Sequence, residues 1–188
     1  MTTADANEIT GLLARWPDDS QARDRAVSLL FNELRQLARR EFSGQIGNTL
    51  QPTALINEAM LKMLGGAPAG FESRRHFFGA AARAMRQVLV DRARRKATDK
   101  RNAGERPLSL DEALDVAVPA ADDLIALDEA LRKLEQHDER AARLVELRYF
   151  AGMTLDETAQ VLELHPATVS SEWAHARAWL RHALGDAA

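Results

Sequence analysis

The chain has 188 residues, 25 Lys and Arg against 28 Asp and Glu for a net charge of −3, and no cysteine. Disulfides, thiolate metal sites and cysteine nucleophiles are therefore excluded, and the length suits one compact domain or two small ones. Met1–Arg15 carries acids where a signal peptide would be basic, and no apolar run approaches a membrane span, so a cytoplasmic protein is expected.

The hydrophobic share of 46% with aromatics at only 5%, and an abundance of Ala, Leu, Arg and Glu, favours helices. In chain order, a short helix is predicted over Asp5–Trp16, with Ile9, Leu12, Leu13 and Trp16 on one side and Pro17 closing it. Ser20 reads as the N-cap of a long helix through about Phe42, whose stripe is Val27, Leu30, Phe31, Leu34, Leu37 and Ala38. Two glycines in Ser43–Asn48 break it. A third helix runs from about Thr53 to Leu64 after Pro52, with Leu55, Ile56, Ala59, Met60 and Met63 at helical spacing, and Gly65–Gly70 forms a loop. No alternating strand pattern of useful length occurs.

The stretch from Ser73 to Arg101 is different in kind. It holds ten Lys and Arg against Asp91 and Asp99, a net charge of +8, which leaves −11 for the rest of the chain. Such polarisation points to a polyanion. Phe77, Phe78, Ala81, Met85, Val88, Leu89 and Ala93 recur at three- and four-residue steps, so one face packs while arginines fan over the others. This basic helix completes a four-helix bundle.

From about Ala97 to Asp123 the period fails: Gly104, Pro107 and Pro119 interrupt it, and acids gather from Asp111. The segment reads as a flexible linker, dividing the chain into 1–97, 98–123 and 124–188. Helical patterning resumes at Leu124, with Ile125, Leu127, Leu131 and Leu134 in one helix and Ala141, Leu144, Val145, Leu147 and Tyr149 in the next. Thr154 then caps a short helix, with Glu157 three residues on completing a capping box. A turn at Glu163–Leu164 leads to His165, a cap, and to Pro166 at the first helical position, where its missing N–H costs nothing. Val169, Trp173, Ala176 and Leu180 continue the buried stripe and leave Thr168, Ser170, Ser171, Glu172 and His175 outward. This is a helix-turn-helix whose second helix fits a major groove.

These residues carry a family resemblance over nearly the whole chain. Leu55–Met63, the Phe77–Phe78 pair and Val90-Asp-x-Ala-Arg-Arg95 resemble region two of bacterial RNA polymerase sigma factors of the extracytoplasmic-function (ECF) group. Thr154-Leu-x-Glu-x-Ala-x-x-Leu162, Pro166-Ala-Thr-Val169 and Ala176–Leu180 resemble region four. The resemblance implies an all-α protein of two small helical domains, a region-two four-helix bundle and a region-four helix-turn-helix domain. It also implies promoter recognition for transcription initiation on core RNA polymerase. The bundle would dock on the clamp helices of the largest subunit and read the minus-ten element; the C-terminal domain would dock on the flap of the second-largest subunit and read the minus-thirty-five element.

Promoter melting needs groups that hold an unstacked base and groups that hold the separated backbone. For the backbone the candidates are Arg83, Arg86, Arg92, Arg94 and Arg95; in the loop that the family uses for a flipped base they are Phe71, Ser73, Arg74 and Arg75, with Phe71 equally readable as a core anchor. On the recognition helix they are His165, Thr168, Ser170, Ser171, His175 and Arg177, with Arg181 and His182 beside them for phosphates. Glu172 stands where many relatives carry a cation and is expected to face the groove, where it would accept from cytosine N4.

The polymerase-binding surface implied by the family is Gln51, Thr53, Ala54, Asn57 and Glu58. It lacks the acidic cluster usual there, since no charge occurs before Glu58. Opposed charges set encounter rate and register, so the expectation is that a Ser/Thr kinase supplies the missing charge by phosphorylating Thr53, with Thr49 as the fallback. Five scattered histidines, without HExxH, a Gly-rich phosphate loop or a Ser-His-Asp grouping, give no support for an enzyme, a metal site or a cofactor. The competing reading is a stand-alone helix-turn-helix regulator on operator DNA, its N-terminal bundle sensing or dimerising.

Overall fold

The computed structural model describes residues 3–16, 18–42, 52–66, 70–99 and 121–185. Their secondary structure is all helical, with no strand among the described residues. Helices α1 (Thr3–Arg15), α2 (Ser20–Phe42), α3 (Pro52–Gly66) and α4 (Arg74–Asp99) form the first half. Helices α5 (Ala121–His137) and α6 (Glu139–Val145), a π-helical turn over Glu146–Phe150, then α7 (Leu155–Leu162) and α8 (Pro166–Gly185) form the second. Pro17, the break at 43–48, Thr49, Gln51 and residues 100–120 of the expected linker lie outside the described residues.

The predicted helices recur with small shifts. The start of α2 is held one residue earlier than expected: Asp19 Oδ1 accepts from Gln21 N (2.9 Å) and Ala22 N (3.0 Å), so a carboxylate rather than the Ser20 hydroxyl caps the helix. The expected linker is trimmed at both ends, because α4 runs to Asp99 and α5 starts at Ala121.

Helix α4 is the axis of the molecule. It packs on α1 and α3 on one side and on α5, the π turn and α7 on the other. The predicted stripe Phe77, Phe78, Ala81, Met85, Val88 and Ala93 is buried, but so are Ala82, Ala84, Arg86 and Val90. Burial of 84, 85 and 86 in succession cannot come from one face of a helix with 3.6 residues per turn. The second face is covered by the C-terminal half. As a result Leu30, Leu34, Leu55, Ile56, Phe77 and Phe78 belong to the same continuous apolar cluster as Leu131, Leu144, Leu147, Phe150, Val169 and Leu180.

Candidate nucleic-acid interface

The loop before α4 is fixed by an aromatic wedge. Gly70 adopts φ +83°, and a methyl in its place would lie 2.0 Å from Trp16 Cδ1. The chain therefore turns where only glycine fits, against the indole. Phe71 is 3% exposed. Its ring meets Trp16 (5.5 Å), Phe77 (5.1 Å) and His76 (5.5 Å) edge-on, so of its two readings the structure adopts the core anchor. The Ser73 hydroxyl accepts from His76 N at 3.1 Å, which makes it the cap of α4.

The cations of α4 divide by partner. Arg74 pairs with Glu33 of α2 and lies 4.9 Å from the Phe78 ring centroid; Arg92 pairs with Glu58 of α3. Arg83, Arg86 and Arg94 reach instead to the C-terminal half. Arg86 is only 5% exposed: Nε donates to Asp128 Oδ1 (2.8 Å), Nη1 to Glu146 Oε1 (2.8 Å) and Nη2 to the Asp128 carbonyl (2.9 Å). Arg83 Nη2 donates to Glu135 Oε1 at 2.9 Å and its Nε lies 3.9 Å from Glu146 Oε2. Arg94 Nη2 is 3.2 Å from Asp128 Oδ2, and Arg132 of α5 approaches the same oxygen at 3.1 Å. Arg75 is exposed and has no carboxylate partner among the described residues, and the exposed Arg95 donates only to the Asp91 carbonyl of its own helix (3.1 Å).

Arg86 was expected on DNA, and here its guanidinium is enclosed by carboxylates. Burial holds the Glu146 carboxyl above its ordinary range, opposed by the hydrogen bond and charge of Arg86 and by Arg83. These acidic partners leave a signal in the sequence that net charge does not reveal. Asp128 falls on the apolar stripe of α5, four residues after Leu124 and three before Leu131, and Glu146 stands between Val145 and Leu147. A charge on a buried stripe implies a buried partner.

Between the loop, α4 and the C-terminal half lies a cleft of about 610 Å³, lined by Lys62, Arg75, His76, Arg83, Gln87, Arg143 and Glu146 among others. Its cations outnumber its carboxylates.

The helix-turn-helix is built as the sequence implies. The Thr154 hydroxyl accepts from Glu157 N (3.2 Å), and the Glu157 carboxylate accepts from Thr154 N (2.8 Å), closing the capping box. Glu163 takes the left-handed conformation at φ 58°, and Leu164 N bonds the Ala159 carbonyl at 3.0 Å to end α7. His165 Nδ1 accepts from Ala167 N at 3.2 Å, so the ring caps α8. Val169, Ala176 and Leu180 are buried, while Thr168, Ser170, Ser171 and His175 are brought together on an exposed face. Glu172 departs from expectation: it lies 2.5 Å from Arg140 with its side chain 18% exposed, turned to α6 and away from that face. Arg177 lies 6.0 Å from the Trp173 ring centroid, and Arg148 5.1 Å from the same centroid.

On α3, Thr53 is half-buried, Ala54 and Asn57 are exposed, and the first turn carries no acid. Among the described residues, Leu61 and Leu64 on the same helix are the exposed large apolar ones, at 75% and 41%. No described helix is long and apolar enough to cross a membrane.

A family model described as ECF sigma factor matches residues 6–186, a span that includes both the α4 cations and the helix-turn-helix. No individual curated protein matches the chain.

Proposed function

Because the chain belongs to the ECF sigma factor family, we propose that it is an alternative sigma factor of the subgroup whose region two lacks the acidic cluster, activated by phosphorylation of Thr53. Sigma factors direct transcription initiation with core RNA polymerase on promoter DNA. In this reading α4 and the loop before it serve the minus-ten element through Arg75, Arg83, Arg86, Arg92, Arg94 and Arg95. The exposed face of α8, with Thr168, Ser170, Ser171 and His175, serves the minus-thirty-five element, and the protein acts in the cytoplasm. The observation that carries the reading is the concentration of charge: an acidic chain gathers +8 into one stretch and also presents an exposed recognition helix.

Helix α3 supplies the polymerase-facing surface and docks on the clamp helices of the largest subunit; the C-terminal half takes the flap of the second-largest. Exposed Leu61 and Leu64 give α3 an apolar contact, while the Glu58 carboxylate is engaged by Arg92. Thr53, the second residue of α3, places a phosphate near the positive end of the helix dipole, where about two negative charges replace the missing acids. The test is run-off transcription with purified core polymerase, using unmodified, Thr53-phosphorylated and Thr53→Ala protein. Transcription from the phosphorylated form with weak polymerase binding by the other two is expected. Equal polymerase affinity for all three removes the kinase, and dimeric binding to a palindromic duplex without polymerase favours the stand-alone regulator.

A further inference from the structure

The acids that meet Arg83, Arg86 and Arg94 of α4 all come from one region of the C-terminal half. Asp128 and Glu135 lie on α5, Glu146 opens the π turn, and between them they bind Arg83, Arg86 and Arg94. These three guanidiniums are spaced along the helix proposed to hold the phosphates of a melted strand. Carboxylates at 2.8 to 3.2 Å occupy the donors that phosphate oxygens would need. The pairing is not superficial: Arg86, Asp128 and Glu146 are each buried, and the apolar cluster runs through this contact without a break. The recognition face of α8 is untouched by it, since Thr168, Ser170, Ser171 and His175 stay exposed.

We propose that the free chain is self-closed: Asp128, Glu135 and Glu146 form a carboxylate clasp that takes the place of DNA phosphates on α4, so single-stranded DNA is refused while duplex DNA still has access to α8. The proposal rests on the sigma-factor reading for the role of α4. It makes the two halves competitors for one set of arginines. Before α4 takes a strand, Arg86 must leave two carboxylates and a carbonyl, and that exchange requires the halves to part.

The chain has no cysteine, so spin labels placed through Gln36→Cys and Gln160→Cys are the only ones present. Both positions are exposed and line one cleft between α2 and α7, across the two halves. In the full-length free protein the labels are expected to give one short, narrow distance distribution. Asp128→Arg, which sets a cation against Arg86 and Arg94, should lengthen and broaden it. Asp128→Asn, which keeps the side-chain volume, should shift part of the population. The same proteins are then titrated with a fluorescein-labelled mixed-sequence single strand and with a mixed-sequence duplex. Opening is expected to tighten single-strand binding by about tenfold or more and to leave duplex binding unchanged. Widely separated labels in the parent protein overturn closure with no variant needed. An opened Asp128→Arg chain with unchanged single-strand affinity overturns the competition, and so does an equal gain on duplex. The sigma-factor reading fails separately, through absence of initiation by core polymerase in the run-off assay, which is scored without reference to label distances.

Discussion

Two buried positions show how single residues set the terms for the site. Gly70 combines a left-handed φ of +83° with an indole 2.0 Å from where a Cβ would sit, so Gly70→Ala meets both backbone strain and a collision. The expected loss is on the order of 2 kcal/mol or more, from strain of about 1–3 kcal/mol plus overpacking, seen as a lower urea midpoint. Glu146 offers a sharper test. Its carboxyl is raised above 4.5 because burial penalises the charge more than Arg86 and Arg83 reward it, with Glu135 adding repulsion. A raised carboxyl binds its proton more tightly in the folded chain. Its contribution to stability is therefore fully present below about 4.5, the value it has when unfolded, and is lost as pH rises through the folded value. Glu146→Gln keeps an oxygen for Arg86 Nη1 without the charge. It is predicted to equal the parent in acid and to match or exceed it at pH 7 in urea denaturation, whereas a clear loss at pH 7 would mean the ion pair outweighs its desolvation.

At the scale of elements, what was legible in the sequence was local. Thr154-x-x-Glu157 predicts a capping box because both bonds close within one turn, and His165-Pro166 marks the next start for the same reason. Thr154→Ala is expected to cost about 1 kcal/mol, read as a lower thermal midpoint with the hydrogen-exchange loss centred on α7. The sequence is silent wherever the deciding partner lies far along the chain. The place of Glu172 on α8 predicts a groove-facing carboxylate, but Arg140 on α6 draws it away. Charge places Arg83, Arg86 and Arg94 of α4 toward DNA, while the acids that meet them lie far onward in the chain, on α5 and the π turn. Phe71 was equally readable as base platform or core anchor because nothing near it in sequence announces Trp16. The second buried face of α4 was hidden for a related reason: Ala82 and Ala84 signal neither burial nor exposure. Helix existence follows from periodicity; which of two partners an arginine chooses follows from tertiary placement.

For the whole molecule, charge separation and closure have a joint signature in salt. A strand bound to the closed chain meets chiefly the free cations of α4, such as Arg75 and Arg95. The opened Asp128→Arg chain offers Arg83, Arg86 and Arg94 as well. Each phosphate neutralised on single-stranded DNA adds about 0.7 to the slope of log affinity against log salt, so three arginines predict a slope steeper by about 2 in the opened variant. Equal slopes in the two proteins would place those arginines off the strand. The buried position of Arg86 also governs time. Parting it from Asp128 and Glu146 exposes three charged groups to water in a single event, so opening is a barrier crossing and not a gradual loosening. A partner that needs the open form must then wait for it. Supplying more of that partner quickens capture only until every opening is used, after which the observed rate levels off at the opening rate itself. For such a partner, the lifetime of one arginine among its carboxylates sets the fastest rate at which the closed chain can be captured.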